Sequence, residues 1–282
     1  MKGAEPASQV AVRCLRLVKM YAAPTGETQA LRGVEAEFRT GTVSAVTGPS
    51  GSGKSSLLSI VALRERQTGG DLEVLGHAAS AMSTSALAAL RRKHIAWVAQ
   101  RPTEVLFPHL TAQEQLAQTA ALRGGDGEDV TALLGRMGLE HRRAAHVAQL
   151  SGGEQQRLAV AVAVLSGADV VVADEPTAEL DDESAALVLA ELRRRAEAGA
   201  CVVISTHDDR AMRAVDRTLA LRHGVLSSER SQSGVSLAAI DSAGRLQLPA
   251  SALALFPDGR AVLEVGDAEV RLRPPHDTGE GS

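Results

Sequence analysis

The sequence is poor in aromatic residues and in cysteine. Its 282 residues include three Phe, one Trp, one Tyr and two Cys. Cys14 and Cys201 lie in apolar, strand-like runs, and their spacing is not that of a metal site. We therefore expect both to be buried thiols in a cytosolic protein, where disulfides are rare.

Long apolar runs and an excess of one charge are also lacking. The longest apolar run, residues 158–165, is too short to span a bilayer, and the first ten residues have no apolar core typical of a signal peptide. The net charge of -4 gives no general attraction to nucleic acid or to an anionic membrane. We expect a soluble chain of one large domain or two unequal ones, reaching a membrane only through a partner.

Residues 43–56, VSAVTGPSGSGKSS, contain the pattern G-x-x-x-x-G-K-[ST] between a predicted strand and a predicted helix. Backbone N–H groups in such a loop turn inward on a phosphate, and the helix N-terminus favours the same anion. Lys54 can reach the terminal phosphates, and Ser55 can offer its hydroxyl to Mg²⁺. A Gly/Ser-rich connector is the alternative. The predicted nucleotide-binding residues of this loop are Gly48, Pro49, Ser50, Gly51, Ser52, Gly53, Lys54, Ser55 and Ser56.

Four apolar runs lack polar alternation, which is typical of parallel strands buried on both faces. They cover residues 43–47, 95–99, 170–173 and 202–206. Each run is followed at its carboxyl end by a polar residue or by the Gly-rich loop, and open α/β sheets bind ligands at that edge. These ends carry Gly48, Gln100, Asp174 with Glu175, and His207, so we expect them to form one site.

The polar residues at these strand ends suggest distinct roles. Asp174 ends the run VVVAD, the Walker B arrangement that holds Mg²⁺. Glu175 can orient or deprotonate a water molecule, Gln100 can reach the metal through its amide oxygen, and His207 can bind the terminal phosphate. The alternatives are that the two acids cap the helix after Pro176 and that His207 is an ordinary loop residue.

The rest of the pattern predicts a strand over residues 10–17, a strand pair over 28–38 and two closing strands over 218–226. Capping boxes at Thr111 with Glu114 and at Ser151 with Glu154 predict helix starts. The predicted helices cover residues 85–92, 111–122, 129–137, 151–165 and 183–198.

The segment LSGGEQQR, residues 150–157, resembles the signature of ATP-binding cassette (ABC) ATPases. The resemblance covers about residues 10–228. It implies an α/β P-loop NTPase with a RecA-like core sheet, an antiparallel β layer and a helical subdomain over about 101–150. The matching motifs are Tyr21 as the A-loop aromatic, Gln100 as the Q-loop, the signature Ser151, Gly152, Gly153 and Glu154, Asp174 and Glu175 as Walker B and base, Asp181 in the D-loop, and the switch His207.

This resemblance implies ATP and Mg²⁺ as cofactors and ATP hydrolysis by Glu175, with Lys54, Gln100 and His207 completing the catalytic set. It also implies a head-to-tail homodimer around two ATPs, driving integral membrane permease subunits from the cytoplasmic face without direct membrane insertion. The macrolide-export and lipoprotein-release class, which includes the cell-division type, is the most similar. A subunit that moves a membrane partner without transport and a soluble DNA-associated ABC ATPase remain alternatives.

The chain continues beyond the cassette at residues 1–228. Residues 229–235 are expected to form a polar linker, and residues 236–274 resemble a small β-rich AbrB-like swapped-hairpin domain, whose units pair. Four arginines against five acids give this segment no basic excess, so dimerisation or regulation is favoured over DNA binding. Residues 275–282 are expected to be a disordered tail.

Overall fold

The computed structural model describes residues 9–23, 26–123, 129–231, 236–238, 240, 246, 248, 250–267 and 269–275. Its strands are β1 (Val10–Ala23), β2 (Gly26–Arg39), β3 (Val43–Thr47), β4 (Gly69–Val74), β5 (His77–Ala78), β6 (Ile95–Val98), β7 (Val170–Asp174), β8 (Cys201–Ser205), β9 (Arg217–Arg222), β10 (Val225–Ser231), β11 (Ser236–Ala238), β12 (Val262–Val265) and β13 (Val270–Arg273). Its α-helices are α1 (Lys54–Val61), α2 (Thr84–His94), α3 (Ala112–Arg123), α4 (Val130–Arg136), α5 (Gly152–Leu165), α6 (Asp182–Glu197), α7 (Asp209–Ala214) and α8 (Ala250–Leu253).

A seven-stranded sheet forms the centre of the fold, in the order β11-β10-β9-β3-β8-β7-β6. The strands from β9 to β6 pair in parallel, and β10 and β11 add antiparallel strands at one edge. Val171 and Val172, neighbours in β7, face separate hydrophobic clusters on the two sides of the sheet. The sheet is therefore buried on both faces, as the four apolar runs predicted.

A four-stranded antiparallel sheet, β2-β1-β4-β5, covers one of these faces. Two predictions for it were wrong: β1 continues past residue 17 to Ala23, and residues 28–38 belong to one strand rather than two. Arg16 at φ +50° and Gly33 at φ +86° lie at register shifts in the β1–β2 ladder. Bulges of this kind interrupt alternation without ending the strand.

Helices cover the other face, and their predicted starts are confirmed. Thr111 and Glu114 form the expected capping box before α3, and Asp129 caps α4 by accepting from the Thr131 amide. Gly138 follows α4 at φ +65° and ends it, as a C-cap glycine does. Among the described residues, no helix has the length and apolar character needed to cross a membrane.

The C-terminal segment differs from its prediction. Residues 229–231 were expected to begin a linker, but they continue β10 and pair with β9, where Glu229 also forms an ion pair with Arg217. Residues 232–235 and most of the predicted tail, residues 276–282, lie outside the described residues. Farther on, α8 precedes the hairpin β12–β13, whereas Leu246 makes only an isolated bridge with Ile240.

Both cysteines are buried, as the sequence predicted. Cys14 is 1% exposed in β1 and Cys201 is fully buried in β8, both in the cluster between the two sheets. Burial raises the pKa of each thiol to about 12. Since the thiolate is the reactive form, neither cysteine is poised for chemistry at neutral pH.

An ion pair between a half-buried arginine and a buried glutamate joins the helical segment to the core. Glu191 in α6 is 4% exposed, and its carboxylate accepts from Nε of Arg136 in α4 at 2.7 Å and from its Nη2 at 3.3 Å. Nε of Arg194 lies farther from the same carboxylate, at 3.6 Å. The bidentate contact fixes α4 on α6.

We expect Arg136→Ala to lower the free energy of unfolding by about 3 kcal/mol, because it leaves a buried carboxylate without its main partner. Urea unfolding followed by circular dichroism measures the loss. The double variant Arg136→Ala with Glu191→Ala removes the buried charge and should recover part of it. Equal losses in the single and double variants would contradict this account.

Candidate nucleotide site

A cavity of about 640 Å³ lies at the carboxyl ends of the parallel strands. It brings together residues that are far apart in the chain, because β3, β8, β7 and β6 are consecutive neighbours in the sheet. The described residues that line it are Ala30, Gly48, Pro49, Ser50, Gly51, Ser52, Gly53, Lys54, Ser55, Ser56, Gln100, Asp174, Glu175, Ala178 and His207. The predicted convergence of four strand ends is therefore observed.

The Gly-rich loop between β3 and α1 packs closely at two of its glycines, Gly48 and Gly53, where a Cβ would clash. Gly48 has φ +144°, and a Cβ there would lie 2.1 Å from the Leu221 carbonyl oxygen. Gly53 has φ +102° and directly precedes α1. Ser52 is 3% exposed, and its buried hydroxyl has no hydrogen-bond partner among the described residues. The loop thus combines close backbone packing with an unsatisfied polar atom, which suits a ligand-binding loop.

Lys54 begins α1, and its side chain folds back over the loop. Its ammonium group donates to the carbonyl oxygens of Gly48 at 2.8 Å and Pro49 at 3.2 Å. The charge is therefore held at the mouth of the loop, beside the exposed Ser55. A cation in this position matches the terminal phosphates of a nucleotide.

Asp174 is the last residue of β7 and Glu175 follows it, and residues of the adjacent strand and loop contact both. The Ser205 hydroxyl donates to Oδ1 of Asp174 at 2.5 Å and accepts from the Glu175 amide at 2.8 Å. Nδ1 of His207 lies 3.0 Å from Oε2 of Glu175. The alternative that these acids cap the next helix is wrong, because the Asp181 side chain caps α6 by accepting from the Ser184 amide.

The signature residues form a helix cap that lies outside this cavity. Ser151 caps α5 by accepting from the Glu154 amide, and Oε2 of Glu154 accepts from the Ser151 amide at 2.8 Å. Arg142 donates to Oε1 of Glu154 at 2.9 Å. Although burial raises the pKa of Glu154, these bonds outweigh it and leave that pKa below its usual value. Among the described residues lining the cavity, none belongs to the signature.

Arg210 in α7, which sequence reasoning missed, ties the segment before α6 to Asp208, the residue after His207. Its guanidinium donates to Asp208 at 2.9 Å, to Asp182 at 2.5 Å and to the Leu180 carbonyl at 3.3 Å. The bond from the Arg210 guanidinium to Asp208 holds the pKa of that carboxyl below its usual value. A single arginine in the short polar helix α7 gives no sequence signal. Asp181, a predicted nucleotide contact, lies outside the cavity lining.

Tyr21 lies near the Gly-rich loop but is not among the described residues that line the cavity. Its hydroxyl donates to Glu65 at 2.7 Å and lies 3.2 Å from the Ser56 hydroxyl, and the Lys19 ammonium lies 4.8 Å from its ring centre. The ring is 36% exposed and belongs to β1. Its stacking on adenine stays a prediction.

Comparison with known proteins decides the family. A family model described as ABC transporter matches residues 31–178. The chain belongs to the ABC transporter family. The predicted P-loop ATPase fold of ABC type is therefore confirmed. The family match ends before the C-terminal segment, so its AbrB-like resemblance stays a prediction.

The curated relatives are longer than this chain. Macrolide export ATP-binding/permease protein MacB of Escherichia coli K12 is 36% identical over 210 residues, which is 73% of this chain and 32% of the relative. MacB of Shigella flexneri gives the same identity and coverage. The chain thus spans about a third of the length of these relatives.

Solved ATP-binding cassettes share the fold of this chain. The ATP-binding cassette MJ0796, in a dimeric post-hydrolysis state with ADP and Pi, is 29% identical with a TM-score of 0.71, covering 79% of this chain and all of that one. An ATP-binding subunit of an ABC transporter, 23% identical with a TM-score of 0.68, covers 80% of this chain and 91% of that one. The chain is therefore an ATP-binding cassette of the ABC ATPase family.

We expect Gly48→Ala to weaken binding of a fluorescent ATP analogue at least about tenfold, because the new Cβ collides with the Leu221 carbonyl and distorts the loop. Fluorescence titration measures the affinity. Gly51→Ala is the matched control: its φ is also positive, at +74°, but its Cβ would meet open space. Equal affinity losses in the two variants would contradict the steric explanation.

Proposed function

We propose that this cassette hydrolyses ATP in the cavity at the Gly-rich loop. The observation that carries the proposal is the convergence of one cation, two carboxylates, an amide and an imidazole on the same cavity. Lys54 binds the phosphates, and Glu175 takes the proton of the attacking water. His207 contacts the Glu175 carboxylate and so holds this base in position. Gln100 orients the water at the end of β6.

The oxygen donors near Lys54 suit a hard divalent cation. Ser55 offers a hydroxyl, Asp174 a carboxylate and Gln100 an amide oxygen, and all three line the cavity. These residues would hold Mg²⁺, which neutralises developing phosphate charge when bound. Asp174 is only 6% exposed, so its carboxylate is held ready by the fold rather than ordered on binding.

The signature supports a head-to-tail homodimer. Ser151, Gly152 and Gly153 expose the start of α5, where free N–H groups favour an anion. These residues do not line the cavity of their own chain, and neither do Glu154 and Asp181. We therefore assign all five to the nucleotide that a second copy binds. The dimeric cassettes among the similar structures support this arrangement.

We expect Glu175→Gln to keep ATP binding but to lower kcat by about 100-fold or more, because an amide cannot accept the proton. ATP should then trap a dimer that light scattering after size exclusion detects. Glu197→Gln, an exposed acid at the end of α6, is the matched control and should stay active. Wild-type turnover by Glu175→Gln would rule out this base.

We further propose that the dimer works with integral membrane permease subunits at the cytoplasmic face and drives export. The curated relatives combine an ATP-binding part and a permease part in their names, and both are macrolide exporters. This chain matches about a third of them, and its described helices provide no span of their own. The permease part therefore lies outside the segment of this chain that matches these relatives.

The hairpin β12–β13 is proposed to strengthen the homodimer. Leu263, Val265 and Val270 are 60%, 74% and 61% exposed, and a two-stranded hairpin alone is marginal in water. Four of its charged residues pair within the hairpin, Arg273 with Glu264 and Arg271 with Glu269. A neutral, apolar and self-complementary face fits a second copy better than DNA.

We expect a variant ending at Ala238, which keeps β11 and the whole central sheet, to be monomeric without ATP, whereas the full chain is dimeric. Light scattering after size exclusion measures both masses. The full-length variant Leu263→Arg should also be monomeric, because it puts a charge on the exposed apolar face. Identical masses for all three proteins would contradict pairing through the hairpin.

A further inference from the structure

Ser205 is the last residue of β8 and lies directly opposite the acids at the end of β7. In the parallel ladder between these strands, Asp174 is the register partner of Ser205. Ser205 is fully buried, and it is the one polar residue of β8, after the apolar residues 201–204. A buried hydroxyl at such a position needs partners, because an unsatisfied one is costly.

Both partners of the hydroxyl belong to the acid pair. The hydroxyl donates a hydrogen bond to Oδ1 of Asp174 at 2.5 Å and accepts one from the Glu175 amide at 2.8 Å. The first bond restricts rotation of the buried Asp174 carboxylate. If the hydroxyl served only to satisfy the buried carboxylate oxygen of Asp174, the first hydrogen bond would suffice. The second bond reaches the backbone of the next residue, which is the proposed base.

The backbone of Glu175 needs such support. Its φ is +50°, a left-handed conformation that is strained for a residue other than glycine. The bond from Ser205 ties its amide to β8, and the Ala178 amide donates to its carbonyl at 3.1 Å. This conformation turns the chain sharply between β7 and Pro176, and Glu175 lines the cavity.

The side chain of Glu175 is held from the same side. His207, two residues after Ser205, contacts its Oε2 through Nδ1 at 3.0 Å. Position 205 therefore fixes the backbone of Glu175 while position 207 contacts its carboxylate. In between, the amide of the fully buried Thr206 donates to Val46 of β3 at 3.1 Å, which anchors this end of β8 to the strand before the Gly-rich loop.

We infer that Ser205 is a positioning residue for ATP hydrolysis: its hydroxyl holds the Glu175 backbone and the Asp174 carboxylate in the geometry that the reaction uses. This inference rests on the proposed ATPase site and adds a residue that touches neither phosphate nor water. It acts through preorganisation, so it contributes to kcat rather than to ATP affinity.

The test compares Ser205→Ala, which removes both hydrogen bonds, with Ser205→Thr, which keeps the hydroxyl. We expect Ser205→Ala to lower kcat about tenfold with KM for ATP within about twofold, and Ser205→Thr to recover most of kcat. Ser227→Ala is the matched control, since it removes a buried hydroxyl that donates to the Ala220 carbonyl in β9. It should lose a similar free energy of unfolding and keep kcat.

A second measurement does not depend on turnover. Hydrogen exchange followed by NMR reports the Glu175 amide, and we expect it to exchange at least about tenfold faster in Ser205→Ala than in wild type and Ser205→Thr. Unchanged kcat in Ser205→Ala, a kcat loss that Ser205→Thr does not recover, or unchanged amide exchange would each overturn the inference. An inactive wild-type protein with the expected exchange pattern would instead reject the proposed ATPase function alone.

Discussion

Parallel pairing of neighbouring strands is the constraint on which the site depends. Parallel strands present their carboxyl ends at one edge, so β3, β6, β7 and β8 deliver their following residues to a single cavity. The strands stay in place because both faces of the sheet are buried, by helices on one side and by the antiparallel sheet on the other. A slip of β7 against β8 would separate Asp174 from Ser205 and Glu175 from His207 at once.

Features with a strong periodic or compositional signal could be predicted from the sequence. The apolar runs before Gly48, Gln100 and Asp174 indicated buried parallel strands, and the capping box at Ser151 indicated the start of α5. Such signals arise because burial on both faces and helix capping each demand particular residue types at fixed spacing. They locate the cavity and most of its lining.

Other features depend on partners that local sequence does not reveal. Arg16 and Gly33 interrupt the alternation in β1 and β2, yet both strands continue because they pair with each other through bulges. Residues 229–231 are polar and resemble a linker, but they pair with the edge of β9 that β3 leaves unpaired. Ser205 and Arg210 matter through contacts with residues about 30 positions away, so their types alone carry no signal.

Two kinds of contact meet at the acid pair, one buried and one exposed. The contacts from Ser205 are buried and belong to the folded sheet, so they preset the geometry before any ligand arrives. The His207 side chain is 76% exposed and contacts Glu175 from the loop side, which leaves it accessible to a nucleotide or to a second copy. Arg210 links that loop to Leu180 and Asp182 and thus to the segment before α6. In the proposed dimeric ATPase, this buried backbone support would keep Glu175 aligned while the exposed loop that carries His207 responds to closure of the dimer, as the coupling of hydrolysis to motion requires.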